Sequence, residues 1–467
     1  MVFSSHIFVY YFLPIALLSY YLLPHRTKHF GLTLSSYIFY GWANPLFAPL
    51  MFASTLIDYT CGRVISGSER PRSRKLALTI SICSNLSLLG FFKYFNFGIA
   101  NVNAIIGWLG LPIWESVLHV TLPLGISFYT FQSMSYTIDV YRGDAKAIRN
   151  FIDFACYVSM FPQLVAGPIV RFSEIADQLQ HRAHTLQKFA RGIAFFSLGM
   201  AKKVLIANPC GKCADTVFDA GVVGPLDAWY GVIAYAFQIY FDFSGYSDMA
   251  IGLGLMLGFT FPKNFDAPYR AESITEFWRR WHISLSSWLR DYLYIPLGGN
   301  RRGAARTYVN LALVMLLGGL WHGASWNFVI WGGIHGGMLA LERKRGKASF
   351  YGSIPKPLRV AATFLLVLIA WVFFRINELP HAITYLQCMF SKVHVQPSTD
   401  LISGILYQPY YLSVMCVGGV VMWCFPQTWD WTRQLTPFKV GICLCLFGLS
   451  LAVLATQAYN PFIYFIF

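Results

Sequence analysis

Histidine is the side chain whose charge changes nearest neutral pH, so an imidazole set in an apolar chain is a first candidate for chemistry. His322 and His335 lie inside LLGGLWHGASWNFVIWGGIHGGM (316–338), a run without Lys, Arg, Asp or Glu that is long enough to cross a bilayer. His282 follows Trp281 in FPKNFDAPYRAESITEFWRRWHISLSSWLRDYLYIPLGGNRRG (261–303). A neutral imidazole can take the proton of a hydroxyl near pH 7. Ionisable groups inside membrane spans are costly and as a rule face a cavity or pathway; the plainer role is a hydrogen-bonded ring joining two helices. If 316–338 is one helix, the 13 residues from His322 to His335 turn the second ring largely away from the first, which makes His335 structural. Glycines at 318, 319, 323, 332, 333, 336 and 337 admit close helix packing.

The elements that must hold these rings are membrane elements. The 467-residue chain is 56% hydrophobic and 12% charged, against about 25% charged in a soluble domain. Its apolar runs fall near 6–24, 31–57, 76–98, 116–138, 151–170, 189–207, 227–258, 307–338, 360–375, 407–424 and 439–466. They predict an all-α polytopic protein of roughly 10–12 transmembrane helices, with Gly/Pro-broken pieces at 122–136 and 161–172 entering as re-entrant segments. Ten-residue alternating segments, the mark of a membrane β-barrel, are missing. The first run has no basic residues before it and no cleavage site, so it reads as a retained first span. Whether 227–258 and 307–338 are each one long helix or two short ones stays open.

The net charge of +15 concentrates between apolar runs, as in GSERPRSRK (67–75) and ERKRGKASFYGSIPKPLR (342–359), which read as cytoplasmic loops. No basic groove interleaved with aromatics speaks for nucleic acid. The ten cysteines are scattered through apolar runs; CGKC (210–213) has redox spacing but no second pair beside it. No metal site is expected. Asp139, Asp242 and Asp248 are buried-acid candidates whose favoured role is structural pairing, with proton relay as the alternative. From Ser273 or Thr275 a helix starts with Glu276 in its first turn, and Phe277, Trp281, Leu285 and Trp288 share one face of it. Trp beside Arg places that helix near the headgroups.

FWRRWHISLSSWLRDYLYIPLGGNRRG (277–303), LWHGASWNFVIWGGIHG (320–336), FPQLVAGPIVR (161–171), LPLGISFYTFQSMSYTIDVYRG (122–143) and IYFDFSGYSDMAIGLG (239–254) together resemble the membrane-bound O-acyltransferases, specifically their alginate O-acetylation branch. The resemblance covers nearly the whole chain as one membrane domain, 1–467, and is densest over 122–340. It implies a ring of helices around a central tunnel, and an essential histidine in a long apolar helix with a second polar residue some tens of residues earlier. These map to His322 and His282, 40 residues apart. His322 would then face the tunnel as base, with His282 orienting or polarising donor or acceptor. Trp281, Trp321, Ser325, Asn327 and His335 are secondary candidates for the tunnel, with a covalent acyl-Ser325 as an option. The implied donor is acetyl-CoA as co-substrate, with no bound cofactor. Arg279, Arg280, Arg301 and Arg302 would meet its phosphates or lipid headgroups. The implied partners are membrane lipid and periplasmic polysaccharide O-acetyltransferases, and the exopolysaccharide indirectly, at the bacterial inner membrane. Rival readings are D-alanyl transfer to teichoic acid by the same fold, a transporter without chemistry, and an export scaffold.

Overall fold

A computed structural model describes residues 2–42, 44–114, 118–346, 353–393, 401–457 and 459–462. Among these residues the regular structure is helical, with no strand. The last part of the expected 439–466 span and residues 347–352 of the basic 342–359 loop lie outside the described residues. Among the described residues, four helices have the length and composition to cross a membrane: Pro71–Trp108, Gly303–His322, Lys356–Arg375 and Pro437–Thr456. Ile7–Leu22 and Pro409–Cys424 are shorter and also apolar. This is an all-α polytopic membrane fold. The chain divides into two compact units, residues 1–189 with 254–261, and residues 190–253 with 262–467.

The first unit holds α1 (Leu13–Leu22), α2 (Lys28–Gly41), α3 (Phe47–Gly67), α4 (Pro71–Trp108), α5 (Ile126–Arg142), α6 (Phe151–Ser159), α7 (Phe161–Leu164) and α8 (Phe172–Gln180). A buried polar knot ties α3, α4 and α5. Asp58 of α3 accepts from Ser81 Oγ at 2.6 Å and from Asn85 Nδ2 at 2.8 Å, and Ser81 and Thr137 hydroxyls meet at 2.8 Å. With no water in hydrocarbon, such groups must find one another inside the protein. Asp139 of α5 accepts the backbone N–H of Ser173, joining α5 to α8.

The second unit includes most of α9 (Leu186–Ala201), α10 (Asn208–Phe218), most of the 32-residue α11 (Pro225–Met256), α12 (Ile274–Arg280), α13 (Ile283–Leu289), α14 (Gly303–His322), α15 (Trp326–Arg345), α16 (Lys356–Arg375) and α17 (Leu379–Met389). The 227–258 run is therefore one helix, whose acids are paired: Asp242 with Lys203 at 2.8 Å, and Asp248 with Lys202 at 2.7 Å and with the Thr428 hydroxyl at 2.6 Å. Cys210 and Cys213 are free, buried thiols that contact Met415 and Tyr230.

The 307–338 run is two helices. α14 ends at His322, and Ser325 opens α15 by accepting the Asn327 N–H at 3.2 Å. Glycine lets the two backbones touch: a Cβ on Gly319 would stand 2.2 Å from the Phe328 carbonyl oxygen, and one on Gly332 2.3 Å from that of Met315. The 273–289 stretch, expected as one amphipathic helix, is also broken. Ser273 does cap it, accepting the Glu276 N–H, but α12 stops at Arg280. His282 then takes the left-handed conformation (φ 44°, ψ 55°) before α13 begins. The strand-like pairing of Asp266 N–H with the Arg280 carbonyl, and of Ile283 N–H with the Asn264 carbonyl, competes there with helix continuation. Phe277, Trp281, Leu285 and Trp288 are all buried in protein, so the apolar face does not lie on lipid as a surface helix would.

Candidate active site

The break at His282 sets the centre of the site. Asn264, 18 residues earlier, supplies the anchor. Its Oδ1 accepts the backbone N–H of Ser284 at 3.2 Å and the Ser284 hydroxyl at 2.9 Å, and lies 3.2 Å from His282 Nδ1. A backbone N–H can only donate, so the atom facing it is the amide oxygen, and His282 Nδ1 must carry its proton to donate to that oxygen. The other ring nitrogen, Nε2, is then a bare lone pair. It is buried and has no hydrogen-bond partner among the described residues. Burial alone lowers the His282 imidazole to about 3, so the ring stays neutral. A non-glycine residue in the left-handed region costs about 1–2 kcal/mol. The Asn264 clamp offsets that strain and fixes ring and tautomer together.

His322 arrives from the other side, as the last residue of α14. Its ring centroid is 6.5 Å from that of His282, and Trp321 lies beside both, at 5.1 Å from His322 and 6.2 Å from His282. Phe374 of α16 (5.1 Å) and Trp331 of α15 (5.3 Å) also pack on His322. All of these residues are buried. Two imidazoles this close, walled by aromatic rings, form one compact buried cluster.

His335 belongs to the same cluster, because the helix break reverses the chain. Trp331 bridges the rings, 4.9 Å from His335 on one side and in contact with His322 on the other. The expectation that helical geometry turns His335 away from His322 assumed a continuous helix, which the hairpin replaces. Trp278 Nε1–H donates to His335 Nδ1 at 3.3 Å. Indole only donates, so His335 carries its proton on Nε2, the reverse of His282.

The remaining candidates separate. Trp281 is a buried wall, 5.1 Å from Phe265 and from Trp371. The Ser325 hydroxyl donates to the Asn377 carbonyl at 2.7 Å while its oxygen caps α15, and Asn327 Nδ2 donates to the Ile376 carbonyl. Both tie the hairpin turn to the end of α16. Arg280 is held by Glu276 at 2.7 Å and by the Asp266 carbonyl at 3.0 Å, while Arg279, Arg301 and Arg302 are exposed. Arg302 and His322 flank a 20-residue helix, so about 30 Å separates them along α14. Arg301 and Arg302 therefore stand apart from the reacting centre. Asn264, Trp278, Trp331 and Phe374 are the site residues missed by sequence reasoning. Trp331 alone carried a local signal, as an indole one turn from His335.

The fold is a helical membrane fold with two buried histidines brought together, and the comparisons show its family. Residues 144–348 match the membrane-bound O-acyltransferase family. The chain is 45% identical, over the full length of both proteins, to the probable alginate O-acetylase AlgI of Pseudomonas putida. It is 52% identical to that of Azotobacter vinelandii, over 84% of this chain and 78% of the relative. It is 39% identical to the peptidoglycan O-acetyltransferase of Helicobacter pylori, over 83% and 80%. The chain belongs to the membrane-bound O-acyltransferase family and is an acyltransferase.

Proposed function

We propose that this protein moves an acetyl group from a cytosolic donor, acetyl-CoA, across the bacterial inner membrane for O-acetylation of an exopolysaccharide such as alginate, through periplasmic O-acetyltransferase partners. The full-length likeness to alginate O-acetylases supports the acyl group and the polymer class. Charge supports the direction. Arg301 and Arg302 precede α14, Arg343, Lys344 and Arg345 close α15, and Lys356 opens α16. By the positive-inside rule these ends are cytoplasmic, which puts His322 at the far end of its helix.

The observation that carries the reading is the histidine pair, two buried imidazoles 6.5 Å apart with one nitrogen left bare. His322 takes the proton of the acceptor hydroxyl. His282, whose tautomer leaves Nε2 as an acceptor only, orients that hydroxyl or a donor N–H by accepting from it. A positioned base of this kind contributes about 10²–10⁴-fold. The test is polysaccharide acetylation in cells carrying His322→Ala, with membrane levels checked by immunoblot. Loss of acetylation at normal protein level is expected. Wild-type acetylation would make His322 a packing residue, and D-alanylation in place of acetylation would change the cargo.

A further inference from the structure

Buried N–H groups almost always find an acceptor, in the protein, in ordered water or in a bound ligand. Two indoles around the site follow this rule. Trp278 donates to His335 Nδ1, and Trp371 donates to the Tyr269 hydroxyl at 3.0 Å. Trp331, in the same cluster and 1% exposed, does not: its Nε1–H has no acceptor among the described residues. Nor has His335 Nε2, which is fully buried and, because Nδ1 accepts from Trp278, must carry the proton. Two unmatched donors therefore sit on rings 4.9 Å apart, and the nearer ring touches His322. His282 Nε2 offers the opposite character, a lone pair without a donor.

We propose that Trp331 Nε1–H and His335 Nε2–H hold the carbonyl oxygen of the acyl donor and receive the negative charge that develops on it. The inference rests on the thioester-donor reading above. In the transfer, the acceptor oxygen bonds to the carbonyl carbon as its proton passes to His322. The carbonyl π electrons move to oxygen, where the two N–H groups meet them. The tetrahedral centre then collapses, the C–S bond breaks, and the thiolate leaves with the proton returned from His322. The products are the O-acetyl ester and the free thiol, and no further reagent is needed. Donors aimed at developing charge in a water-poor site act on the transition state more than on the ground state. A His335 anchored by Trp278 keeps its N–H pointed the same way throughout.

The experiment uses the purified full-length protein in detergent and two unreactive donor analogues. Acetonyl-CoA keeps the carbonyl as a ketone, and S-ethyl-CoA lacks it. Wild-type protein should bind the ketone more tightly. Trp331→Phe, which keeps an aromatic ring and removes the N–H, should weaken ketone binding by about fivefold, the worth of one hydrogen bond of about 1 kcal/mol. It should leave the thioether within about twofold and lower kcat by a larger factor, up to about 10². His335→Gln, which keeps an amide N–H, should retain more of the ketone preference than His335→Phe. Equal weakening of both analogues by Trp331→Phe would reduce Trp331 to packing and overturn the proposal while the donor reading stands. If wild-type protein binds neither analogue, the coenzyme-A donor reading falls and this subsite falls with it.

Discussion

Asn264→Ala tests whether the site depends on its clamp. Asn264 Oδ1 accepts from His282 Nδ1, Ser284 N–H and the Ser284 hydroxyl. At about 1 kcal/mol net for each bond, about 3 kcal/mol is at stake, and releasing His282 from its left-handed conformation lets the ring swing away as the strain relaxes. If all of that energy holds the reactive geometry, the transfer rate falls by about 10²-fold. The assay is acetyl transfer at saturating donor by purified enzyme, beside a thermal melt to confirm that the fold survives. The sharper version is a double-mutant cycle. If Asn264 acts only through His282, then Asn264→Ala added to His282→Ala costs nothing more, because the group it orients is already gone. A full additional 10²-fold loss in the double variant, or activity within twofold of wild type in the single, would refute the clamp.

The same anchor makes a prediction about pH. In the wild type, burial lowers the His282 pKa, so the ring stays neutral and the rate shows no titration of His282 between pH 5 and 9. Asn264→Asp places a carboxylate against Nδ1, which raises that pKa and fills the Nε2 lone pair with a proton at low pH. Its rate should therefore gain a rise with pH through the new pKa that wild type lacks, and a profile identical to wild type would count against the tautomer assignment. Ser325→Ala removes a helix cap and a hydrogen bond to Asn377, at a cost of about 1 kcal/mol in stability. It should keep most of the activity, whereas complete loss in a folded protein would bring back an acyl-Ser325 intermediate.

How far the site could be read from the chain follows from the range of each interaction. The weight on His322 and His282 came from phrases that resemble a family; membrane class and the Ser273 cap rest on local pattern, and these were legible. The helix breaks were not. The 316–338 run has hydropathy enough for one span, and only the Ser325 cap with the Gly319–Phe328 and Gly332–Met315 contacts makes the hairpin the better packing. Those contacts pair residues from opposite sides of the turn, so no window of sequence along one helix displays them. His282 shows the limit most clearly. The helical spacing of Phe277, Trp281, Leu285 and Trp288 reads as a continuing helix, and the residue that overrules it is an asparagine 18 positions before His282 in a KNFD stretch with no special signature. The tautomers decide what each histidine can do, and each is set by one remote partner, Asn264 for His282 and Trp278 for His335. Sequence names the imidazoles; only the fold decides which one accepts and which one donates.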